Sequence, residues 1–198
     1  MIKIHGPEND NIRKYIEKSG TFYEIDLLED SAQYLYDGAV VIDAGANIGN
    51  HSVFWGSLCN CEVHAFEPNL EAVGYLVENL QLYNKNFKVY AHALSDVEGI
   101  GTVIPHEYLG QCRIKYVPLG PVMIHTIDSY KLKPRLIKIG VEGFEFRVLK
   151  GALKTIKKYH PIIYVEIHED VEPIDKLLRL MNYKRMGVYG FTPTYKYI

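Results

Sequence analysis

Two groups of residues in this chain have the types and spacing to do chemistry. The first is the turn Asp43-Ala44-Gly45-Ala46-Asn47-Ile48-Gly49, which follows the β-branched run Val40-Val41-Ile42 and precedes a helical stretch opening Ser52-Val53-Phe54-Trp55. Strand, glycine turn and helix bring backbone N–H groups against a nucleotide-like ligand at the carboxyl edge of a parallel sheet. Glycine is required because a Cβ would block both the turn and the ligand's approach. The second group comprises Lys138 on the strand-like run Leu136-Ile137-Lys138-Ile139, Glu142 just beyond it, and Glu166 with His168 at the end of another apolar run. A carboxylate two residues from an imidazole can orient it toward a shared cleft, and such a pair can take a proton from an acceptor. Glu142 would serve equally as an acid at a helix start, and Glu166 and His168 equally as supporting or surface groups.

The ligand of the turn is narrowed by what the turn lacks. A P-loop needs G-x-x-x-x-G-K-[ST], and no Lys-Ser or Lys-Thr follows Gly49. A dinucleotide fingerprint needs G-x-G-x-x-G, and here the middle glycine is missing. S-adenosylmethionine carries no phosphate, so a looser Asp-x-Gly-x-x-x-Gly turn suffices for its amino-acid part. A carboxylate ending the next strand can then accept both ribose hydroxyls. Glu67, 24 residues after Asp43, meets the spacing of about 20 expected for a ribose-binding acid, and Pro68 beside it offers the adenine a flat apolar wall. A turn that binds nothing remains the alternative, weakened by Glu67-Pro68-Asn69 falling in register.

These residues need a sheet to hold them. Apolar runs at 40–42, 63–66, 87–92, 136–139 and 161–167 read as strands, with two shorter strands near 183–188 and 193–197. Helical periodicity predicts helices over 9–18, over 22–35 with Thr21 and Glu24 as a capping box, over 71–82, over 144–156 and over 174–181. Alternation of strands and helices implies one α/β domain with a mostly parallel sheet, its helices 1–37 covering the cofactor edge of a core over 38–198. Residues 99–122, with Pro105, Pro118, Pro121 and several glycines, read as an inserted hairpin of the kind that shapes substrate sites. Arg113 within it could clamp a polar substrate, while Cys112 reads as packing. His51 reads as a helix-start group, and His5, His106 and His125 give no signal.

The chain has 198 residues, 47% hydrophobic and 23% charged, with a formal charge of −2 and no basic block. That argues against a dedicated nucleic-acid binder. No apolar run reaches membrane-spanning length and no signal-like leader opens the chain, so no membrane insertion is expected. Cys59, Cys61 and Cys112 cannot all pair, and Cys59 and Cys61 stand too close for an easy bridge. The thiols therefore read as reduced and the location as cytoplasmic. Glu166-x-His168-Glu169-Asp170 has metal-ligand types, but no second His or Asp cluster has a matching spacing, so no metal is expected.

Taken together, Val41-Ile42-Asp43-Ala44-Gly45-Ala46-Asn47-Ile48-Gly49-Asn50-His51-Ser52, Ala65-Phe66-Glu67-Pro68, Ala93-Leu94-Ser95-Asp96, Thr126-Ile127-Asp128-Ser129, Leu136-Ile137-Lys138-Ile139-Gly140-Val141-Glu142-Gly143-Phe144-Glu145 and Val148-Leu149-Lys150-Gly151-Ala152 resemble the FkbM-type methyltransferases. The resemblance implies a class I methyltransferase fold, a Rossmann-like seven-stranded sheet with helices on both faces and the last strand antiparallel. It implies S-adenosylmethionine as cofactor, S-adenosylhomocysteine as product, and a hydroxyl of a sugar, a glycan or another small natural product as acceptor. By the same resemblance Asp43, Gly45, Ala46, Asn47, Gly49 and Glu67 would hold the cofactor. Asn69, Leu94 and Ser95, with Pro68, would lie along its ribose and adenine.

One departure stands out. The family pattern Ile-Lys-Ile-Asp-Val-Glu-Gly has glycine here at position 140 in place of aspartate. Residues 138 and 140 share a strand face, so the loss leaves Lys138 without an obvious partner. Either a catalytic or substrate-orienting acid has been removed, making this a cofactor-binding but impaired form, or Lys138, Glu142, Glu166 and His168 do the work. The first alternative predicts that Gly140→Asp raises turnover by about 10²-fold, the size of one proton-transfer group.

Overall fold

Strands and helices alternate over residues 40–90 and again over 136–189, because β-branched runs there are punctuated by glycine turns and amphipathic stretches. The structure, a computed structural model, describes residues 2–168 and 170–198, and only the backbone of residue 109. In chain order the elements are α1 (Asn11–Ser19), α2 (Ile25–Ala32), β1 (Val40–Ala44), α3 (Asn50–Leu58), β2 (Glu62–Phe66), α4 (Leu70–Tyr83), β3 (Phe87–Tyr90) and β4 (His92–Leu94). They continue with β5 (Gly99–Ile104), β6 (Arg113–Tyr116), β7 (Val122–His125), β8 (Leu136–Ile139), α5 (Glu145–Lys150), α6 (Leu153–Tyr159), β9 (Ile162–Glu166), α7 (Glu172–Arg179), β10 (Arg185–Tyr189) and β11 (Thr194–Tyr197).

The main sheet has seven strands in the order β10-β11-β9-β8-β1-β2-β3. All are parallel except β11, which runs antiparallel to both its neighbours. The chain leaves β1 for β2 and β3 on one side and returns to β8 on the other. The gap between the ends of β1 and β8 is therefore the topological switch point, where open α/β sheets bind ligands. Alternate residues feed two cores. Ile42 and Ala44 of β1, with Ile163 and Val165 of β9, face α5, α6 and α7. Val41, with Tyr164, faces Leu27, Leu28, Trp55, Leu76 and Leu80 of α2, α3 and α4. A fully buried Trp55 donates its indole N–H to Ser31 at 2.8 Å, fastening α2 to α3.

Local details depart from the pattern of the sequence in four places. The expected third strand splits: β3 stays in the main sheet, whereas β4 joins a second sheet in the order β4-β7-β5-β6. The inserted hairpin β5–β6 is part of that sheet, with a 3₁₀ turn at Leu109–Gln111. The expected helix over 144–156 breaks into α5 and α6, because the Asp128 carboxylate accepts N–H groups from Lys154 at 3.1 Å and Thr155 at 2.7 Å. That carboxylate caps a new helix start. The capping box at Thr21 and Glu24 does not form: Glu24 is left-handed (φ 55°) and makes no side-chain cap. Finally, Cys59 and Cys61 form a disulfide, leaving Cys112 as the free thiol. The inference of a reducing compartment from unpaired thiols is thereby withdrawn. Among the described residues no helix is long and apolar enough to cross a membrane.

Candidate functional site

At the switch point the two chemical groups of residues meet through backbone. Gly45 follows β1 with φ 80°, and a Cβ there would run into the carbonyl oxygen of Gly140 just past β8. The Gly140 N–H in turn donates to the carbonyl of Ala44 at 2.9 Å. Gly49 (φ 94°) starts α3 against Leu76, where a Cβ would lie 2.8 Å from Cδ1. Both glycines are needed on these grounds.

Glu67 ends β2 beside the turn. Its Oε2 accepts the Asn47 N–H at 2.9 Å, and its Oε1 accepts the Asn69 N–H at 2.9 Å. Each oxygen keeps a lone pair for a hydroxyl. Burial pushes the Glu67 carboxyl up to about 7, against the lowering effect of those two amides. Gly45, Asn47, Glu67, Pro68 and Leu94 line one cavity, together with His92, Cys112 and Phe144. Ala46 lines the adjoining cleft. Asp43, Gly49, Asn69 and Ser95 line neither. Asp43 lies beneath the turn and accepts the Ser52 hydroxyl at 2.6 Å, leaving its Oδ1 buried without a partner. Asn69 caps α4 and donates to Cys112 Sγ at 3.5 Å, and Ser95 packs behind α5 against Gly151. The hairpin residues Gly110, Cys112 and Ile114 also line the first cavity.

Across the switch point, Lys138, Gly140, Glu142, Glu166 and His168 share a cleft of about 180 Å³. Lys138 is buried and makes no ion pair among the described residues. Burial works to lower its pKa, but the charges of Asp43, Glu166, Glu24 and Glu142 outweigh that and raise it. The lysine expected to lack a partner thus sits in the field of four carboxylates. An ideal Cβ on Gly140 would lie 2.5 Å from Lys138 Nζ and 2.6 Å from Glu166 Oε2. The space where an aspartate would begin is flanked by an ammonium and a carboxylate. His168 Nε2 lies 3.3 Å from Glu166 and 4.0 Å from Glu142. Glu142 is held with φ 54° by Glu145, which accepts the N–H groups of Val141 at 3.1 Å and Gly143 at 3.0 Å. Burial, then the neighbouring Glu166 charge, raises the Glu142 carboxyl. Glu142, Glu166 and His168 each offer a ligand atom within 4.8 Å of the others, the three groups that the sequence placed around one cleft. Glu169 lies outside the described residues.

Three contributors escaped sequence reading: Tyr23 and Glu24 come from the segment before β1, and Asn50, the first residue of α3, ties that segment down. Asn50 accepts the Tyr23 N–H at 3.0 Å and donates to its carbonyl at 2.9 Å. Glu24 contacts His51 at 3.0 Å, although His51 Nε2 gains no aligned hydrogen bond. Burial would raise the Glu24 carboxyl, but His51 and the more distant Lys138 bring it below its usual range. Tyr23 lines the cleft, and burial with the Glu24 and Glu166 charges pushes its phenol up to about 12, so it stays a donor.

Comparison with known proteins agrees with this geometry. The Methyltransferase FkbM domain matches residues 43–185. A hexuronic acid methyltransferase, AglP of Haloferax volcanii, is 32% identical over 143 residues, covering 69% of this chain and 59% of its own. A crystal structure of an FkbM methyltransferase from Methylobacillus flagellatus superposes with a TM-score of 0.63 at 17% identity, covering 83% of this chain and 44% of that one. A methyltransferase of Streptococcus mutans, solved with S-adenosylhomocysteine, gives 0.56 at 15% identity over 89% of this chain and 97% of that one. The chain thus spans about three-fifths of the curated relative it matches and under half of the first solved one. With a family match over most of its length, and a seven-stranded sheet carrying that family's glycine turn, the chain belongs to the FkbM methyltransferases.

Proposed function

We propose that this chain is an S-adenosylmethionine-dependent O-methyltransferase acting on a hydroxyl of a sugar or glycan. When bound, S-adenosylmethionine supplies a sulfonium methyl that passes to an oxygen and leaves neutral S-adenosylhomocysteine. The residues present suit it. Glu67 keeps a lone pair on each oxygen for the ribose hydroxyls, Pro68 and Leu94 offer apolar walls to the adenine, and Asn47 has a buried, unpartnered Oδ1 at the turn. The N–H groups of Gly45, Ala46, Asn47 and Gly49 are donated within the fold, so the amino-acid end would be met by the Asn47 side chain, with Gly45 and Gly49 shaping the turn and Ala46 lining the cleft beside it. In this reading Asp43 and Ser95 support the cradle from beneath, and Asn69 supports it from the first turn of α4. A cytoplasmic location belongs to the same reading.

The observation that carries the acceptor side is the pair flanking Gly140. Lys138 Nζ and Glu166 Oε2 both lie beside Gly140, 2.5 and 2.6 Å from where a Cβ would begin, so an acceptor hydroxyl seated over this glycine meets both groups. There the Glu166 carboxylate takes the hydroxyl proton as the new O–C bond forms, and the Lys138 ammonium steadies the growing negative charge. His168, 3.3 Å from Glu166, receives that proton and hands it to solvent. Glu142 holds His168 from the other side. Gly140 then makes room for the acceptor instead of marking a lost acid. The relative that acts on hexuronic acid supports a sugar as the acceptor class.

The test is transfer of radiolabelled methyl from S-adenosylmethionine to a panel of sugars and glycans, alongside calorimetry with the cofactor. Cofactor binding with label appearing on a sugar hydroxyl is expected. No cofactor binding, or tighter binding of NAD, would overturn the proposal.

A further inference from the structure

A second, larger groove opens beside the reaction cleft. It encloses about 690 Å³ between the inserted hairpin, the start of α5 and the β9–α7 connection. Gln111, Glu142 and His168 line both spaces, so the groove and the cleft are continuous. The cleft, at about 180 Å³, is smaller than the roughly 300–1,000 Å³ of ordinary ligand pockets, whereas the groove is within that range.

The lining of the groove is mixed in a particular way. Phe146 and Ile104 leave 40% and 44% of their surface exposed there, and Ile174 adds a third apolar side chain. Arg113 and His106 stand on the hairpin side, and Asp170 on the opposite wall. Sugar rings carry apolar C–H faces that stack on aromatic and aliphatic surfaces, and hydroxyls that both donate and accept. A purely apolar segment would leave Arg113 and Asp170 facing carbon. A strongly charged polymer would meet one wall of its own sign.

We propose that this groove is a subsite for the acceptor glycan beyond the methylated sugar, so that the protein takes an oligosaccharide and not a free monosaccharide. This rests on the sugar acceptor proposed above. One ring occupies the cleft beside Gly140, and the following residues run over Phe146 toward Arg113.

The experiment is binding of the whole chain to an immobilised array of neutral and uronic-acid glycans of one to six residues. Wild type is compared with Phe146→Ala and Arg113→Ala, both at exposed positions where substitutions seldom disturb folding. Wild type should retain at least one series of two or more residues about tenfold better than its monosaccharide. Phe146→Ala should remove that preference, with S-adenosylmethionine affinity by calorimetry unchanged, and Arg113→Ala should weaken it. Equal retention of monosaccharides and longer chains, retention indifferent to Phe146→Ala, or no retention of any glycan would each overturn the subsite. Retained glycans that accept no labelled methyl would instead refute the proposed transfer and leave the groove standing. Labelled monosaccharides with no length preference would do the reverse.

Discussion

The two halves of the switch point are built from different materials. On the β1–β2 side the site is built by backbone: a turn with positive φ at Gly45, Asn47 and Gly49, its amides bonded within the fold, and one carboxylate pinned by two N–H groups. On the β8–β9 side it presents side chains: a buried lysine, two glutamates and a histidine gathered around one cleft. A backbone-built site tolerates few changes, since each lies on main-chain geometry. A side-chain site can exchange its parts, and the glycine at position 140, beside a well-placed Glu166, reads as one such exchange.

Breaking the backbone half should have the largest effect. Gly45→Ala forces a Cβ into the Gly140 carbonyl at a φ that disfavours any side chain, and calorimetry should detect no cofactor binding. Binding within about threefold of wild type would show the turn to be more compliant than described. Glu166→Gln removes the proposed base while keeping its shape. We expect turnover to fall by about 10² with cofactor affinity unchanged, a split that a merely structural residue would not produce.

Glu67 sharpens the contrast through pH. Its carboxyl titrates near 7 in the folded protein, above the usual carboxylate range, so it gains charge as the pH rises through neutrality. Only the ionised form accepts from both ribose hydroxyls. Cofactor affinity should therefore rise by up to about tenfold per pH unit below 7 and level off above it, and Glu67→Gln should flatten the profile. A flat wild-type profile would remove Glu67 from the cradle. The smallest effect is expected from Gly140→Asp. The new carboxylate must displace two side-chain tips at 2.5 and 2.6 Å, so no gain in turnover is expected. A gain of about 10² would mean that position 140 lacks an acid the site needs, and that Glu166 is no substitute.

The same contrast explains what the sequence disclosed. Asp43 to Gly49 and Glu67 could be read because backbone geometry forces glycine and because the acid follows at a fixed interval along consecutive strands. The seven-strand count and the antiparallel last strand came with the resemblance, whereas the strand order did not. Tyr23, Glu24 and Asn50 could not be read, since their association depends on a segment folding back over the end of β1, and helical periodicity suggested an ordinary capping box instead. The division of α5 from α6 was hidden for a similar reason: the capping carboxylate, Asp128, is 26 residues away from the Lys154 N–H it accepts. The groove at Phe146 arises from the curl of a hairpin, which periodicity does not describe.

The contact between Gly45 and the Gly140 carbonyl has a consequence for redesign. Anyone re-aiming this protein at a new acceptor would naturally enlarge or recharge position 140, through its side chain. The main chain at that position must stay put, because it is also the floor on which the cofactor turn rests. Substitutions there that bend the strand would show up as weaker cofactor retention before any change in acceptor preference was seen. Retooling should therefore proceed from Glu142, Glu166 and the groove, and leave the peptide plane of residue 140 alone.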